Sequence, residues 1–527
     1  MLLFGICAMA KSPIALNCFH RLLSLYKPML VALLLSLLAT SPGRSQTIAY
    51  CRLSPEAIAE KETLRQTALS GDSNAQQQYN QILIQHAQAV YRCRQQSRPQ
   101  NQAIWLRLYS CDAQPGALEK LLDDIINKGY NQVYLEVFYD AQVLLPAANN
   151  PTPWPSVMRS PGLEQVDLMA QTIQKGRQRG LQVYAWMFML NFGYTYTLLP
   201  NRAGVLAVNG SGETTVTANL DGTASNDFGE SYINQGFVDP YHPTARQDFN
   251  TLLNAVLRRR PSGVLFDYVR YPRGLGPQSV ASRVKDLWIY GDASQSALLQ
   301  RANNDRGREL LQRYVSQGFL TENDVNQINQ KYPEQAQPQE AQPQEAQPQE
   351  KLPLWHDETA LPALSGIPSL GNTFNQQLWR LSVAHAQQGI LDFLNIFSQP
   401  VQSRGIPAGA VFFPEANRRV GEQGFDSRLQ PWDRFSSAIE WHPMAYGVCG
   451  TTSCIVEQVA TVANRAQPGT KIIPAIAGDW GKSIKNRPPL EHQMRDIINA
   501  IPQIQSISHY SYDWQEPQLT RDRQSCR

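Results

Sequence analysis

The chain has 527 residues, of which 42% are hydrophobic and 17% charged, a balance that excludes a disordered polymer and suits one large folded domain with insertions or several ordinary ones. The formal net charge is only +3 and the basic residues form no stripe, which argues against nucleic acid as a partner. Ten Trp and 21 Tyr supply many amphipathic rings; most are expected in the core, but such rings also stack on sugar faces.

Residues 1–45 read as an export signal. Arg21 and Lys27 precede the apolar run Met29–Ala39, and small or polar residues follow through Gly43, Arg44 and Ser45. The run is too short to span a bilayer comfortably, so a cleaved leader and a periplasmic or extracellular protein are expected, with the membrane engaged only through that signal. A lipid anchor on Cys51 is disfavoured by the bulky Tyr50 before it.

Beyond the leader six cysteines remain, an even number that suits disulfides in an exported chain. Cys449 and Cys454 bracket a short Gly/Thr/Ser loop. Cys51 and Cys93 flank a polar, Ala/Gln-rich helical segment, residues 46–100, and would staple a helical hairpin. That leaves Cys111 with Cys526, although the sequence alone does not choose among the pairings that six cysteines allow. Neither CxxC nor HxxxH spacing occurs, so no zinc site is expected, and the chemistry proposed below calls for no cofactor.

From residue 101 strand and helix signals alternate. Ile104–Ser110 is the first predicted strand, and Leu118, Leu121, Leu122, Ile125 and Ile126 form the apolar face of a helix that Gly129 stops. Val133–Phe138 and Val183–Met189 are the second and third strands. A long Gly/Asn/Thr-rich loop, 191–236, follows the third and is expected on the catalytic face as a wall of a cleft. Pro243 opens the next helix, in which Phe249, Leu252, Leu253, Val256 and Leu257 face inward. Asp239 and His242 just before it read equally well as turn or cap residues.

The fourth strand lies in GVLFDYVRYP, residues 263–272. Its apolar half is that of a strand buried on both faces, and it ends abruptly in Asp267, Tyr268, Arg270 and Tyr271. The pattern then breaks: residues 273–372 are mostly polar and helix-prone and contain AQPQE three times in tandem at Ala336–Glu350, a composition that cannot bury a core and reads as a flexible linker. The rhythm resumes in 373–527, with strands at Ala410–Phe413, Ala438–Met444, Lys471–Ile476 and Ser506–Tyr510. Eight strands separated by helices, 101–272 forming the first half and 373–527 the second, favour an α/β fold of the (β/α)8 TIM-barrel type. An open doubly wound sheet is the alternative; it predicts a Gly-rich phosphate loop after the first strand, and Ser110–Gly116 has a single Gly.

In a barrel the C-terminal ends of all strands open on one cavity. Here those ends carry Glu136 and Asp140; Trp186; Asp267, Tyr268 and Arg270; Glu415; His442, Met444 and Tyr446; Asp479 and Trp480; and His509, Tyr510, Asp513 and Trp514. Carboxylates and aromatics dominate, as glycoside hydrolysis requires: one carboxylate attacks or stabilises an oxocarbenium-like centre while another protonates the leaving oxygen. Asp267 as nucleophile and Glu415 as general acid/base are the expected pair. Arg270 is expected to keep Asp267 ionised, and the apolar run before Glu415 to favour its protonated form. Taken singly, a strand-end carboxylate is more often solvated or salt-bridged than catalytic; the neighbours of Asp267 single it out. Glu136, Tyr268, Arg270, His442, Tyr446, Asp479 and Tyr510 are the expected substrate hydrogen-bonders, and Trp186, Trp480 and Trp514 the expected platforms, with core packing the better expectation for at least one of the three.

The segments WLRLYS, GYNQVYLEVFYDAQVLLP, GLQVYAWM, FVDPYHPTARQDF, GVLFDYVRYP, WHPMAYG and HYSYDW together resemble the glycosyl hydrolase-like 10 family, over about 103–515 apart from the 273–372 insertion. The DYVRYP segment is the most specific of them. The resemblance implies a TIM barrel acting on a polysaccharide outside the cytoplasm, such as peptidoglycan glycan strands or an amino-sugar polymer. It further implies that Asp267 is the strand-four nucleophile and Glu415 the strand-five acid. The insertion and the Cys-flanked N-terminal segment depart from the pattern. A non-catalytic glycan-binding envelope protein on the same barrel is the rival expectation.

Overall fold

The computed structural model describes residues 50–218, 235–336, 372–447, 449–484 and 487–526. The expected leader and the AQPQE repeat beyond Ala336 lie outside the described residues, as does part of the long loop after the third strand.

Eight parallel strands form the centre: β1 Asn101–Leu106, β2 Gln132–Tyr139, β3 Gln182–Phe188, β4 Gly263–Asp267, β5 Ala408–Phe412, β6 Glu440–Pro443, β7 Ala475–Ala477 and β8 Ser506–Tyr510. They pair in chain order, and β8 pairs β1. Parallel bridges from Trp441 to Ile472 and from Met444 to Ala475 join β6 to β7, so the ring closes as a (β/α)8 barrel. All eight predicted strands are present, the last with the expected bounds and the others with shifted ends. β1 starts earlier and stops at Leu106, because the chain leaves the ladder for a 3-10 turn at Ser110–Ala113. The regular part of β7 begins only at Ala475, after Pro474, which has no N–H for the ladder.

Helices α1 Pro55–Leu69 and α2 Ser73–Gln96 make the N-terminal hairpin; α3 Ala117–Asn127, α4 Leu168–Gln178 and α5 Pro243–Leu257 cover the first half of the barrel. The insertion carries α6 Asp292–Leu299, α7 Asp305–Gln317 and α8 Glu322–Lys331, and the second half carries α9 Asn372–Gln402, α10 Thr452–Arg465, α11 Leu490–Ala500 and α12 Pro517–Ser525. The expectation of a helix between every pair of strands fails at β5–β6. That connection holds short strands at Arg419–Val420 and Gly424–Asp426 and a 3-10 turn at Trp432–Arg434. Pro414, Gly421, Gly424 and Pro431 interrupt any helical run there. Gly424–Asp426 pairs with Val280–Ala281, tying this loop to the insertion.

The barrel interior is filled unevenly. Gly263 on β4 and Gly409 on β5 make room for Tyr184 and His442 from the adjacent strands. A Cβ on Gly263 would stand 2.3 Å from Tyr184 Cε1, and one on Gly409 2.7 Å from His442 Nε2. His442 is completely buried, edge-on to Tyr134 with centroids 5.4 Å apart.

The hairpin is docked by a buried polar cluster. Asp123 on α3 accepts from Arg179 Nε at 2.8 Å and from the Tyr79 hydroxyl at 2.6 Å, with Lys61 Nζ 3.7 Å away. Burial outweighs the attraction of Asp123 and lowers the Lys61 pKa to about 8. Three disulfides close the structure: Cys51–Cys93, Cys111–Cys526 and Cys449–Cys454, the pairings that the cysteine positions suggest. Among the described residues no helix is long and apolar enough to cross a membrane.

A candidate active site at the carboxyl ends of the strands

Strand β4 ends on Asp267, which is 7% exposed. Its carboxylate is held from two sides: Trp186 Nε1 donates to Oδ2 at 3.1 Å, and the backbone N–H of Tyr268 donates to Oδ1 at 2.6 Å. The second bond depends on an unusual backbone, since Tyr268 has a φ of +52°, in the left-handed region that non-glycine residues seldom occupy. The Tyr268 ring lies 4.4 Å from that of Phe188, and the Arg270 guanidinium stands 4.5 Å from the Tyr268 ring centre while donating to the Tyr271 carbonyl at 2.9 Å.

Around Asp267 the strand ends build an aromatic box. Trp105 on β1 meets Trp186 on β3 edge-on at 4.6 Å, and Tyr510 at the end of β8 lies 5.9 Å from Trp105 and 6.3 Å from Trp186. Tyr446, beyond β6, stacks on Tyr510 at 5.0 Å with ring planes 17° apart. The expected residues Trp186, Asp267, Tyr268, Arg270, Tyr446 and Tyr510 are therefore linked by direct contacts.

Glu136, in register with Trp186 and fully buried, is gripped by Arg107 just past β1, with Nε 2.5 Å from Oε2 and a second nitrogen 3.2 Å from Oε1. The same guanidinium lies over Tyr139 at 4.2 Å and 3.7 Å from Asp140. Burial pulls the Arg107 pKa down, but Glu136 and then Asp140 outweigh it and raise it well above the ordinary arginine value. Sequence reasoning does not single out Arg107, although it sits at a strand end in WLRLYS. Nearby, burial and then Asp513 push the Tyr109 hydroxyl up to about 12.

Glu415 lies three residues beyond β5, and its setting differs from the apolar one expected. Arg428 Nη1 contacts Oε1 at 3.0 Å, while Oε2 is buried with no hydrogen-bond partner among the described residues. The apolar run Val411–Pro414 gives no hint of this contact, because Arg428 comes from the far side of the helix-free β5–β6 loop. Asp479, beyond β7, pairs through Oδ2 with Lys482 at 2.9 Å, and Trp514 stands 5.7 Å from the Arg487 guanidinium.

Two expected residues contact other parts of the molecule. Trp480 packs against Tyr50 at 4.9 Å and His509 at 5.4 Å, under Arg52, and donates to the Tyr130 hydroxyl at 3.3 Å. His442 lies inside the barrel, with Nε2 3.5 Å from Glu440 Oε2. Burial lowers its pKa, although Glu440 opposes the shift. His242 caps α5 by accepting from Thr244 N at 3.1 Å, and Asp239 accepts from the Tyr241 and Ser294 amides at 2.9 Å each, anchoring the start of α6. Among the described residues no group of three or more His, Cys, Asp or Glu side chains is placed to hold a metal ion.

No curated protein is significantly similar to the chain. Among solved structures, the PgaB (BpsB) glycoside hydrolase domain from Bordetella bronchiseptica is 14% identical, with a TM-score of 0.41, over 80% of this chain and 98% of that one. The catalytic domain of a β-amylase from Paenibacillus polymyxa is 11% identical, with a TM-score of 0.43, over 80% and 97%. A GH18 chitinase from Pseudoalteromonas aurantia is 10% identical, with a TM-score of 0.34, over 78% and 94%. Residues 102–316 match the model of the glycosyl hydrolase-like 10 family. The match runs through Asp267 and on into the insertion, almost to the end of α7, so that part of the insertion is not a departure from the family pattern. Residues 102–316, from β1 to α7, are thus similar to the glycosyl hydrolase-like 10 family, on a (β/α)8 barrel.

Proposed function

We propose that the protein is an exported glycoside hydrolase that cleaves a cell-wall or extracellular polysaccharide, such as peptidoglycan glycan strands or an amino-sugar polymer. The observation that carries this reading is Asp267, a buried carboxylate at the end of β4 with a donor on each oxygen from Trp186 and Tyr268, the Trp186 ring in turn meeting Tyr510 at 6.3 Å. In the proposed retaining mechanism Asp267 attacks the anomeric carbon, and Glu415 protonates the leaving oxygen and then activates water. The Oε2 of Glu415, unpartnered among the described residues, is the oxygen through which that proton would pass. Tyr446 and Tyr510 offer ring and hydroxyl contacts to sugar, and Glu136, Asp479, Trp480, Trp514 and His442 remain in the proposed set as binding or supporting residues. Three disulfides agree with export.

The test is reducing-end release from purified peptidoglycan glycan strands and a panel of amino-sugar polymers, with Asp267→Asn and Glu415→Gln beside wild type and folding followed by circular dichroism. Activity lost in both folded variants supports the pair. The second reading, a glycan-binding barrel without catalysis, is favoured by the Arg428 clamp on Glu415. It predicts that wild type retains a glycan without cleaving it.

A further inference from the structure

We infer that Trp186 is a positioning residue for Asp267 rather than a platform on which a sugar ring stacks. The inference rests on the reading of Asp267 as nucleophile.

A stacking platform needs an open face, and Trp186 is only 5% exposed. Trp105 abuts it edge-on at 4.6 Å, Phe188 lies at 5.9 Å and Tyr510 at 6.3 Å. Its single polar side-chain atom donates to Asp267 Oδ2 at 3.1 Å. The other oxygen takes the Tyr268 amide at 2.6 Å, made available by the left-handed backbone of Tyr268. A non-glycine residue persists in that conformation only where its surroundings hold it there, and such residues cluster at functional sites. These two donors, one to each oxygen, fix the plane of the carboxylate, and donors to the charged form favour the carboxylate that a nucleophile needs. Trp105 acts on this arrangement through shape alone, since its own Nε1 is buried with no hydrogen-bond partner among the described residues.

The test replaces Trp186 in the full chain with Phe and, separately, with β-(3-benzothienyl)alanine, which keeps the shape of the indole and removes only the N–H. On the glycan that wild type cleaves, both variants should lose about tenfold in kcat and keep KM within about twofold. The acid limb of kcat/KM should move up by about one pH unit as the carboxylate loses a donor. A raised KM with an unmoved acid limb is the signature of a stacking platform and overturns the inference. A readout without turnover separates this from the proposed function: carboxyl carbon NMR titration of Asp-labelled protein, with the Asp267 signal assigned by its loss in Asp267→Asn. That titration should shift upward in the benzothienyl variant, and an unchanged titration in the folded variant overturns the inference. If no glycan is cleaved by wild type, the functional reading fails and the titration still decides the role of Trp186.

Discussion

Arg428 joins two acidic side chains of the β5–β6 loop: its Nη1 lies 3.0 Å from Glu415 Oε1, and its Nε and Nη2 fork onto Asp426 at 2.8 and 2.7 Å. The guanidinium is 2% exposed, and the Arg428 carbonyl accepts the Tyr271 amide at 2.9 Å, which fastens this loop to the DYVRYP segment. Removing one member of a buried ion cluster strands the others without a partner. Arg428→Met is therefore expected to cost roughly 3–5 kcal/mol of stability. Arg428→Lys keeps the charge without the fork and should fall in between. Urea denaturation measures both, and a wild-type midpoint in Arg428→Met would show that the cluster contributes nothing.

The Cys111–Cys526 bond closes a loop of 415 residues, linking the C-terminal helix to the turn after β1. Chain entropy for so long a loop gives an upper figure of about 6 kcal/mol. The helix has a second tether, because Arg523 holds both oxygens of Asp112 at 2.8 Å and the Arg107 carbonyl at 2.7 Å. Cys526→Ser should thus lower the melting temperature while leaving α12 docked and resistant to limited proteolysis. Pairing Cys526→Ser with Arg523→Ala should release it. Cleavage of α12 in the single variant would mean that the disulfide alone holds it.

The barrel is legible in the sequence because its strands are short β-prone runs buried on both faces, each punctuated by Gly, Pro or a polar end. The cysteine pairs are suggested by the sequence, though not fixed by it, because each flanks one local unit or the two ends of the main one. Hidden from the sequence is whatever depends on partners distant in the chain. Arg107 and Glu136 are 29 residues apart and meet only because β1 and β2 are neighbours in the sheet. Arg428 reaches Glu415 through a loop whose two- and three-residue strands leave no periodicity to detect. The inward or outward aim of a strand-end side chain is equally hidden. His442 points down among Tyr134 and Glu440, and Trp480 folds against Tyr50, because the last residues of β6 and β7 fix directions that residue type does not encode.

Buried neutral histidines should make the fold labile to acid. Burial lowers the pKa of His385 and of His509 to about 3 and that of His86 to about 4. A histidine whose folded pKa lies below its unfolded value stabilises fully above about 6.5, and that contribution is lost as pH falls toward the folded value. Asp239 acts in the opposite sense. Burial raises its pKa to about 6, so its contribution is complete at low pH and lost as pH rises through about 6. The histidines outnumber it, and stability should decline between pH 6.5 and 4. His385 is the sharpest case, since its Nδ1 accepts from Arg301 Nε at 3.0 Å and protonation would set two cations together where α6 meets α9. Urea midpoints from pH 7.5 to 4.5 measure the decline, which should be shallower in His385→Gln; a flat profile in wild type would refute the assignment.

Neither Gly263 nor Gly409 has a positive φ, so what each requires is space and not backbone freedom. A Cβ on Gly263 would meet the Tyr184 ring at 2.3 to 2.7 Å, and one on Gly409 would lie 3.0 Å from Leu265 Cδ1 as well as against His442. Overpacking of this kind costs roughly 1–3 kcal/mol, and more where the neighbour cannot move. Tyr184 is confined by Tyr134 at 5.4 Å and by Glu440, to which its hydroxyl donates at 3.5 Å, so Gly263→Ala should fall at the upper end. Gly204 has no positive φ, and a Cβ there would meet nothing within 4 Å, so it is the control and should tolerate Ala unchanged. If steric conflict with Tyr184 is the cause, Tyr184→Leu should recover part of the loss in Gly263→Ala, giving a favourable coupling in a double-mutant cycle. Strict additivity of the two substitutions would place the cost elsewhere in the barrel.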